Sequence, residues 1–252
     1  MPSRHELTNV NGTPPSLSPL SLQAPGYAVV HFANEMLRDR NDALSGKRVL
    51  ILGSGKVARS VASKLLEYGA IPLTFSDASG HVYEPDGIGP AKLNVIDKIK
   101  NERGALLGRF IISSTTARFN DPSTVTDIPC DLCIPCGAMH DLDAEAVNAL
   151  ADNGCQGVIE GGHSTVTAEA RKVLKKRGLL YGPDKLTLTG ASISNALGKG
   201  AADEALAAEI SRVYKDVKRT AQEFNARGDL YAGASIAGFL RVANVMMNHG
   251  AV

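Results

Sequence analysis

Arg48-Val49-Leu50-Ile51-Leu52-Gly53-Ser54-Gly55-Lys56-Val57-Ala58 is the stretch on which the reading of the fold turns. A short apolar strand runs straight into a glycine pair, and Val61, Leu65 and Leu66 then recur at helical spacing as far as Gly69. Each small residue of Gly53-x-Gly55-x-x-Ala58 has a mechanical purpose. Gly53 permits the tight turn, Gly55 lets the backbone approach a pyrophosphate, and Ala58 keeps the helix close to the strand. The next strand, Ile71 to Phe75, ends at Ser76-Asp77, which puts Asp77 24 residues after Gly53. Strand, glycine turn, helix, strand and acid in this order predict a dinucleotide-binding unit. The free N–H groups at the helix start would face the phosphates, and Asp77 the adenosine ribose. Gly53, Ser54, Gly55, Lys56, Val57, Ala58 and Asp77 are therefore candidate cofactor-binding residues. Lys56 either meets a phosphate or points to solvent, because the backbone does the binding there.

Upstream, residues 1–25 are rich in Pro, Ser, Thr and Asn and read as a flexible N-terminal arm. From Gly26 to about Arg40, Tyr27, Val30, Phe32, Met36 and Leu37 recur at helical spacing, so residues 26–252 read as the folded domain. Downstream, a turn-rich stretch around Ser79-Gly80 and Glu84-Pro85-Asp86-Gly87 precedes a helix from Pro90 to Glu102. Strands are expected at Arg109–Ser113, Asp131–Ile134, Gly157–Glu160 and Leu179–Tyr181, and helices at Asp143–Asp152 and Thr167–Arg177. The C-terminal quarter reads as two helices, Ala201–Asn225 and Ile236–Asn248. This alternation predicts an α/β fold: a Rossmann-like, doubly wound parallel sheet with helices on both faces and a helical C-terminal extension.

Composition narrows the function classes. The net charge is +1 and the basic residues are scattered, so no nucleic-acid partner is expected. No apolar run approaches the roughly 20 residues of a membrane span, so no membrane association is expected. The N-terminus lacks a secretory pattern and four cysteines do not make a disulfide scaffold, which suits a cytoplasmic setting. Cys130-x-x-Cys133-x-x-Cys136 invites a metal reading. On a strand that spacing sends neighbouring sulfurs to opposite faces, so no metal is expected and a core role is preferred.

Several stretches resemble the glutamate dehydrogenases of the Glu/Leu/Phe/Val dehydrogenase superfamily. They are Gly26-Tyr27-Ala28-Val29-Val30-His31-Phe32, Ser76-Asp77-Ala78-Ser79-Gly80, Ile128-Pro129-Cys130-Asp131, Glu160-Gly161 and Gly233-Ala234-Ser235-Ile236-Ala237-Gly238-Phe239. The resemblance runs from about residue 26 to the end and implies the NAD(P)-binding domain of that family. It also implies interconversion of an amino acid and its 2-oxo acid. Lys100 matches a lysine that helps to hold the 2′-phosphate in NADP-preferring members, which favours NADP(H) over NAD(H).

Departures from the family pattern bear on the chemistry. The family's substrate domain, with its carbonyl-polarising lysine and acidic proton shuttle, has no counterpart in the resemblance. Where the family has Pro-Cys-Ala-Thr-Gln-Asn-Glu-Leu, this chain has Pro135-Cys136-Gly137-Ala138-Met139-His140-Asp141-Leu142. Where it has Glu-Gly-Ala-Asn, this chain has Glu160-Gly161-Gly162-His163. The resemblance thus puts Cys136, Gly137, His140 and His163 at the nicotinamide riboside, the two histidines in place of asparagines. It puts Asn195 in place of a serine at the substrate carboxylate, and Leu188 in place of an asparagine. Histidine moves protons near neutral pH, so His163 and His140 are the candidate catalytic residues. The plainer alternative is that they keep an amide-like hydrogen bond to the ribose.

Two functions follow. One is a stand-alone NADP(H)-dependent oxidoreductase acting on a C=O, C=N or activated C=C of a small organic substrate. The other is a non-redox enzyme, an isomerase or cyclase, or a cofactor-binding pseudoenzyme on the same fold. Apolar surface left where the substrate domain would pack makes a homodimer the expected assembly.

Overall fold

The structure, a computed structural model, describes residues 19–198 and 200–250. The first half of the chain contains α1 (Pro19–Arg38), β1 (Arg48–Leu52), α2 (Lys56–Glu67), β2 (Ile71–Pro72), β3 (Thr74–Asp77), β4 (Gly80–Tyr83) and α3 (Pro90–Asn101). Then come β5 (Arg118–Asn120), β6 (Leu132–Pro135), α4 (Ala144–Asp152), β7 (Gly157–Ile159), α5 (Ala168–Arg177) and β8 (Leu180–Gly182). Four helices close the chain: α6 (Asp184–Thr187), α7 (Gly190–Leu197), α8 (Asp203–Glu223) and α9 (Leu230–His249).

Successive side chains of a strand point to opposite faces, and in β1 both faces are buried. Val49 and Ile51 join a core with Phe32 of α1, Val61 and Leu65 of α2, and Ile210 of α8. Leu50 and Leu52 join a second core with Val147 and Leu150 of α4 and Leu174 of α5. The sheet is parallel throughout, in the order β2-β1-β6-β7-β8, with helices on each side. The doubly wound α/β architecture is thus the one the alternation predicts, and α8 and α9 form its helical C-terminal end. Chain order reverses between β1 and β6, which makes the C-terminal edge of those two strands the switch point where open α/β sheets bind ligands.

Four expectations are corrected. The helix expected from Gly26 begins at Pro19, so residues 19–25 are not part of an arm; residues 1–18 lie outside the described region. Pro25 is accommodated because Ala24 and Ala28 press against α7, where a Cβ on Gly190 would lie 2.3 Å from the Ala24 carbonyl oxygen. Packing there outweighs the local cost of the proline.

Arg109–Ser113 is not a strand but part of a 3-10 helix, Leu107–Ser113. Leu107 and Phe110, three residues apart, are fully buried, whereas Ile112 is 90% exposed, so burial follows the three-residue period. The run Ile71 to Phe75 divides at Leu73: β2 stays in the parallel sheet, and β3 turns into an antiparallel three-stranded sheet with β4 and β5. Nor is the chain without a long apolar run. In α9, Leu230–Asn248 is 19 residues long with a mean hydropathy of 1.3, and is long and apolar enough to cross a membrane by those measures alone. Extending the helix six residues upstream of Ile236 makes one run of it, with Arg241 its one charged side chain.

Candidate active site

The candidate site lies on the C-terminal edge of the parallel sheet. Gly53 ends β1 with φ +100°, a conformation that favours glycine, and a Cβ there would lie 2.9 Å from the Cys136 carbonyl oxygen. The turn after β1 and the loop after β6 therefore touch through the backbone. Gly53 N–H donates to Ser76 Oγ at 2.7 Å, and Ser76 N–H donates to the Gly53 carbonyl at 3.2 Å, so the end of β3 holds the glycine turn.

Gly55 is the N-cap of α2, with no side-chain cap and no acidic residue in the first turn. A Cβ on Gly55 would meet no atom within 4 Å. Amide donors of the first turn, a positive helix end and an open approach make a donor set that fits a pyrophosphate. Ser54 is buried, Ala58 is fully buried against the core, Val57 is half-buried, and Lys56 is exposed. The close approach that Ala58 allows is matched from α1, where a Cβ on Gly26 would lie 2.6 Å from Ser60 Cβ.

At the end of β3, Asp77 faces an open cleft of about 440 Å³ lined also by Ser79, Lys100, Arg103 and Leu106. Its carboxylate does not stand free for a ribose. Lys100 Nζ lies 3.2 Å from Asp77 Oδ2, Leu107 N–H donates to the same oxygen at 3.2 Å, and Ser79 N–H donates to Oδ1 at 3.0 Å. Burial pushes this carboxyl upward, but the Ser79, Lys100 and Leu107 hydrogen bonds outweigh it and hold it below the usual carboxylate value. Lys100 thus lies at the cleft, paired with Asp77. Arg103, which the sequence reading passed over, is exposed on the same cleft without an ion pair among the described residues.

The other side of the edge is built from the loops after β6 and β7. Cys136 N–H donates to the Leu52 carbonyl at 2.7 Å, and Gly161 N–H donates to the Pro135 carbonyl at 2.8 Å, so the loops follow one another across the strand ends. Glycine is needed where they meet: a Cβ on Gly161 would lie 2.4 Å from Cys136 Sγ, and one on Gly162 3.1 Å from the Gly137 carbonyl oxygen. Burial drives the Cys136 thiol far up, which makes it a packing group rather than a thiolate. His140 and His163 are exposed on these adjacent loops. They are joined through the backbone, His140 N–H donating to the Ser164 carbonyl at 2.9 Å. Asn195 is on the exposed side of α7, and no hydrogen bond among the described residues joins it to either histidine.

Beneath the histidine loops lies a carboxylate pair that sequence reasoning did not single out. Glu160 is fully buried, accepting from Thr165 Oγ1 at 2.9 Å, Val166 N–H at 3.1 Å, Asp184 N–H at 3.3 Å and the Tyr181 hydroxyl. Asp184 accepts from Ser164 N–H at 3.0 Å. Asp184 follows the end of β8, and that position at a strand terminus was the available signal.

A parallel sheet with a glycine cradle at its switch point defines a Rossmann-like nucleotide-binding α/β domain. The sequence profile of the Glutamate/Leucine/Phenylalanine/Valine dehydrogenase family matches residues 18–250, and the chain belongs to that family. It is 33% identical over 243 residues to an NADP-specific glutamate dehydrogenase of Chlorella sorokiniana, covering 91% of this chain and 46% of that protein. With an NADP-specific glutamate dehydrogenase of Helicobacter pylori (strain J99 / ATCC 700824) it shares 32% identity over 246 residues, 90% of this chain and 54% of the relative. A crystal structure of Plasmodium falciparum glutamate dehydrogenase superposes with a TM-score of 0.87 at 29% identity, covering 97% of this chain and 54% of that one. The chain spans about half the length of these relatives.

Proposed function

We propose that this chain serves an NADP(H)-dependent oxidoreductase that acts on a C=O, C=N or activated C=C group of a small organic substrate. The observation that carries this reading is the contact between the glycine cradle at the end of β1 and the loop that bears His140, which in turn meets the loop that bears His163.

The nicotinamide, when bound, supplies or accepts the hydride. Gly53, Ser54, Gly55, Lys56, Val57 and Ala58 hold the pyrophosphate through backbone donors. Cys136 and Gly137 shape the nicotinamide end, and Asn195 orients the substrate. His163 or His140 holds the proton that leaves or joins the substrate, at an imidazole nitrogen. The preference for NADP(H) is supported by Lys100 and Arg103 on the ribose-side cleft and by relatives named as NADP-specific. A homodimer in a reducing cytoplasm completes the reading, in keeping with four free cysteines and an apolar face on α9.

A second reading is a non-redox isomerase or cyclase, or a protein that binds the cofactor without using it. It is favoured by the exposure of both imidazoles, which have no side-chain hydrogen bond among the described residues. Titration with NADPH and NADH, followed by nicotinamide fluorescence, separates the two, with His140→Ala and His163→Ala alongside. The oxidoreductase reading expects micromolar NADPH binding, weaker NADH binding, an altered signal in at least one variant, and stereospecific deuterium transfer from labelled NADPH. Binding without transfer to any carbonyl or imine substrate favours the second reading, and no binding of either cofactor ends the first.

A further inference from the structure

We propose that Asp184 and Glu160 are positioning residues that lock the His140 and His163 loops into one rigid rim. This rests on the assignment of both histidines to the nicotinamide end. The starting observation is backbone strain in two non-glycine residues. His140 has φ +63° and Ser164 has φ +47°, a left-handed conformation that persists only where the surroundings over-determine it.

The over-determination can be followed bond by bond. Glu160 has no exposure to solvent, and its four donors come from Thr165, Val166, Tyr181 and Asp184, that is, from the far side of the His163 loop, β8 and the start of α6. Asp184 passes the restraint upward: its Oδ2 accepts from Ser164 N–H at 3.0 Å and from Ser164 Oγ at 3.4 Å, while its Oδ1 accepts from Lys185 N–H at 2.7 Å. The Ser164 carbonyl then accepts from His140 N–H at 2.9 Å, and the Thr165 carbonyl from Leu142 N–H at 2.9 Å. A bridge between Leu142 and Val166 finishes the seam. His163 precedes the clamped serine, and His140 supplies the amide on its other side. A carboxylate at the start of α6 therefore fixes the backbone of two candidate proton carriers from two different loops.

Asn153 and Gly178 end α4 and α5 without any link to this seam. The start of α6 belongs to it, since no side chain caps that end and Asp184 N–H donates to Glu160.

The test uses Asp184→Asn, which keeps the side-chain shape, and Tyr181→Phe, which removes one donor to Glu160 at little cost in volume. Amide hydrogen exchange and imidazole NMR titrations are read on the whole chain without cofactor, with the histidine signals assigned through His140→Ala and His163→Ala. Asp184→Asn is expected to speed exchange of both the Ser164 and His140 amides about tenfold while the β1 amides stay protected. It is also expected to move the titrations of both imidazoles together, with Tyr181→Phe producing a smaller change in the same direction. With NADPH present, affinity falls about tenfold in Asp184→Asn. The proposal is overturned if only Ser164 responds and His140 does not, or if protection falls uniformly through β1. Failure of the wild-type chain to bind NADPH would sink the function proposed above, yet the cofactor-free exchange and titration data would still decide the clamp.

Discussion

Asp77 shows how much a single position carries that its neighbours in sequence do not reveal. Its place after β3 is legible from the glycine turn, because the fingerprint counts from Gly53 to an acid at the end of the next strand. That its carboxylate is taken up by Lys100 and Leu107 was not legible, since those partners come from α3 and the 3-10 helix. The depressed carboxyl has a definite sign in the stability profile. A group whose folded pKa lies below its unfolded value stabilises above the unfolded pKa, and this is lost as pH falls through the folded one. Asp77→Asn should cost of the order of 1 kcal/mol at pH 7, a gap that narrows as pH falls below about 4. Urea unfolding of both proteins at several pH values measures it, and a gap unchanged in acid would reject the assignment.

At the scale of the element, the informative failure is Arg109–Ser113. Phe110, Ile111 and Ile112 form an apolar run, and such a run bounded by polar residues reads as a buried strand. Whether it is one depends on a sheet edge to pair with, and the segment packs instead on α3 and β4. The segment coils so that Leu107 and Phe110 are buried and Ile112 is not. Phe110→Ala should then cost about 3–5 kcal/mol, as for other large-to-small changes in a core. Ile112→Ala should change stability by less than about 0.5 kcal/mol, as for a surface site. Denaturant midpoints of the two variants decide between this arrangement and a strand, in which residues two apart share a face and would not show that contrast.

For the whole molecule, the apolar face of α9 is the feature with the largest consequence. Phe239, Val242, Val245, Met246 and Met247 are all more than half exposed on one helix. Exposed apolar surface of this kind marks an interaction site. A homodimer predicts a sedimentation mass of two chains at micromolar concentration, reduced to one chain by Phe239→Glu with NADPH binding retained. A mass of one chain for the unaltered protein refutes it.

The amino-acid sequence by itself determined the α/β alternation, the glycine cradle, the family and the loops that carry both histidines. Those features depend on short periods and on residues a few positions apart, such as Gly53, Gly55 and Ala58. Only the tertiary structure decided what each charged group meets. Lys100 on Asp77, and the line from Glu160 through Asp184 and Ser164 to His140, join residues separated by about twenty positions or more. Such pairings have no local period to announce them, because the order of strands in the sheet, and not the order of residues in the chain, brings their ends together.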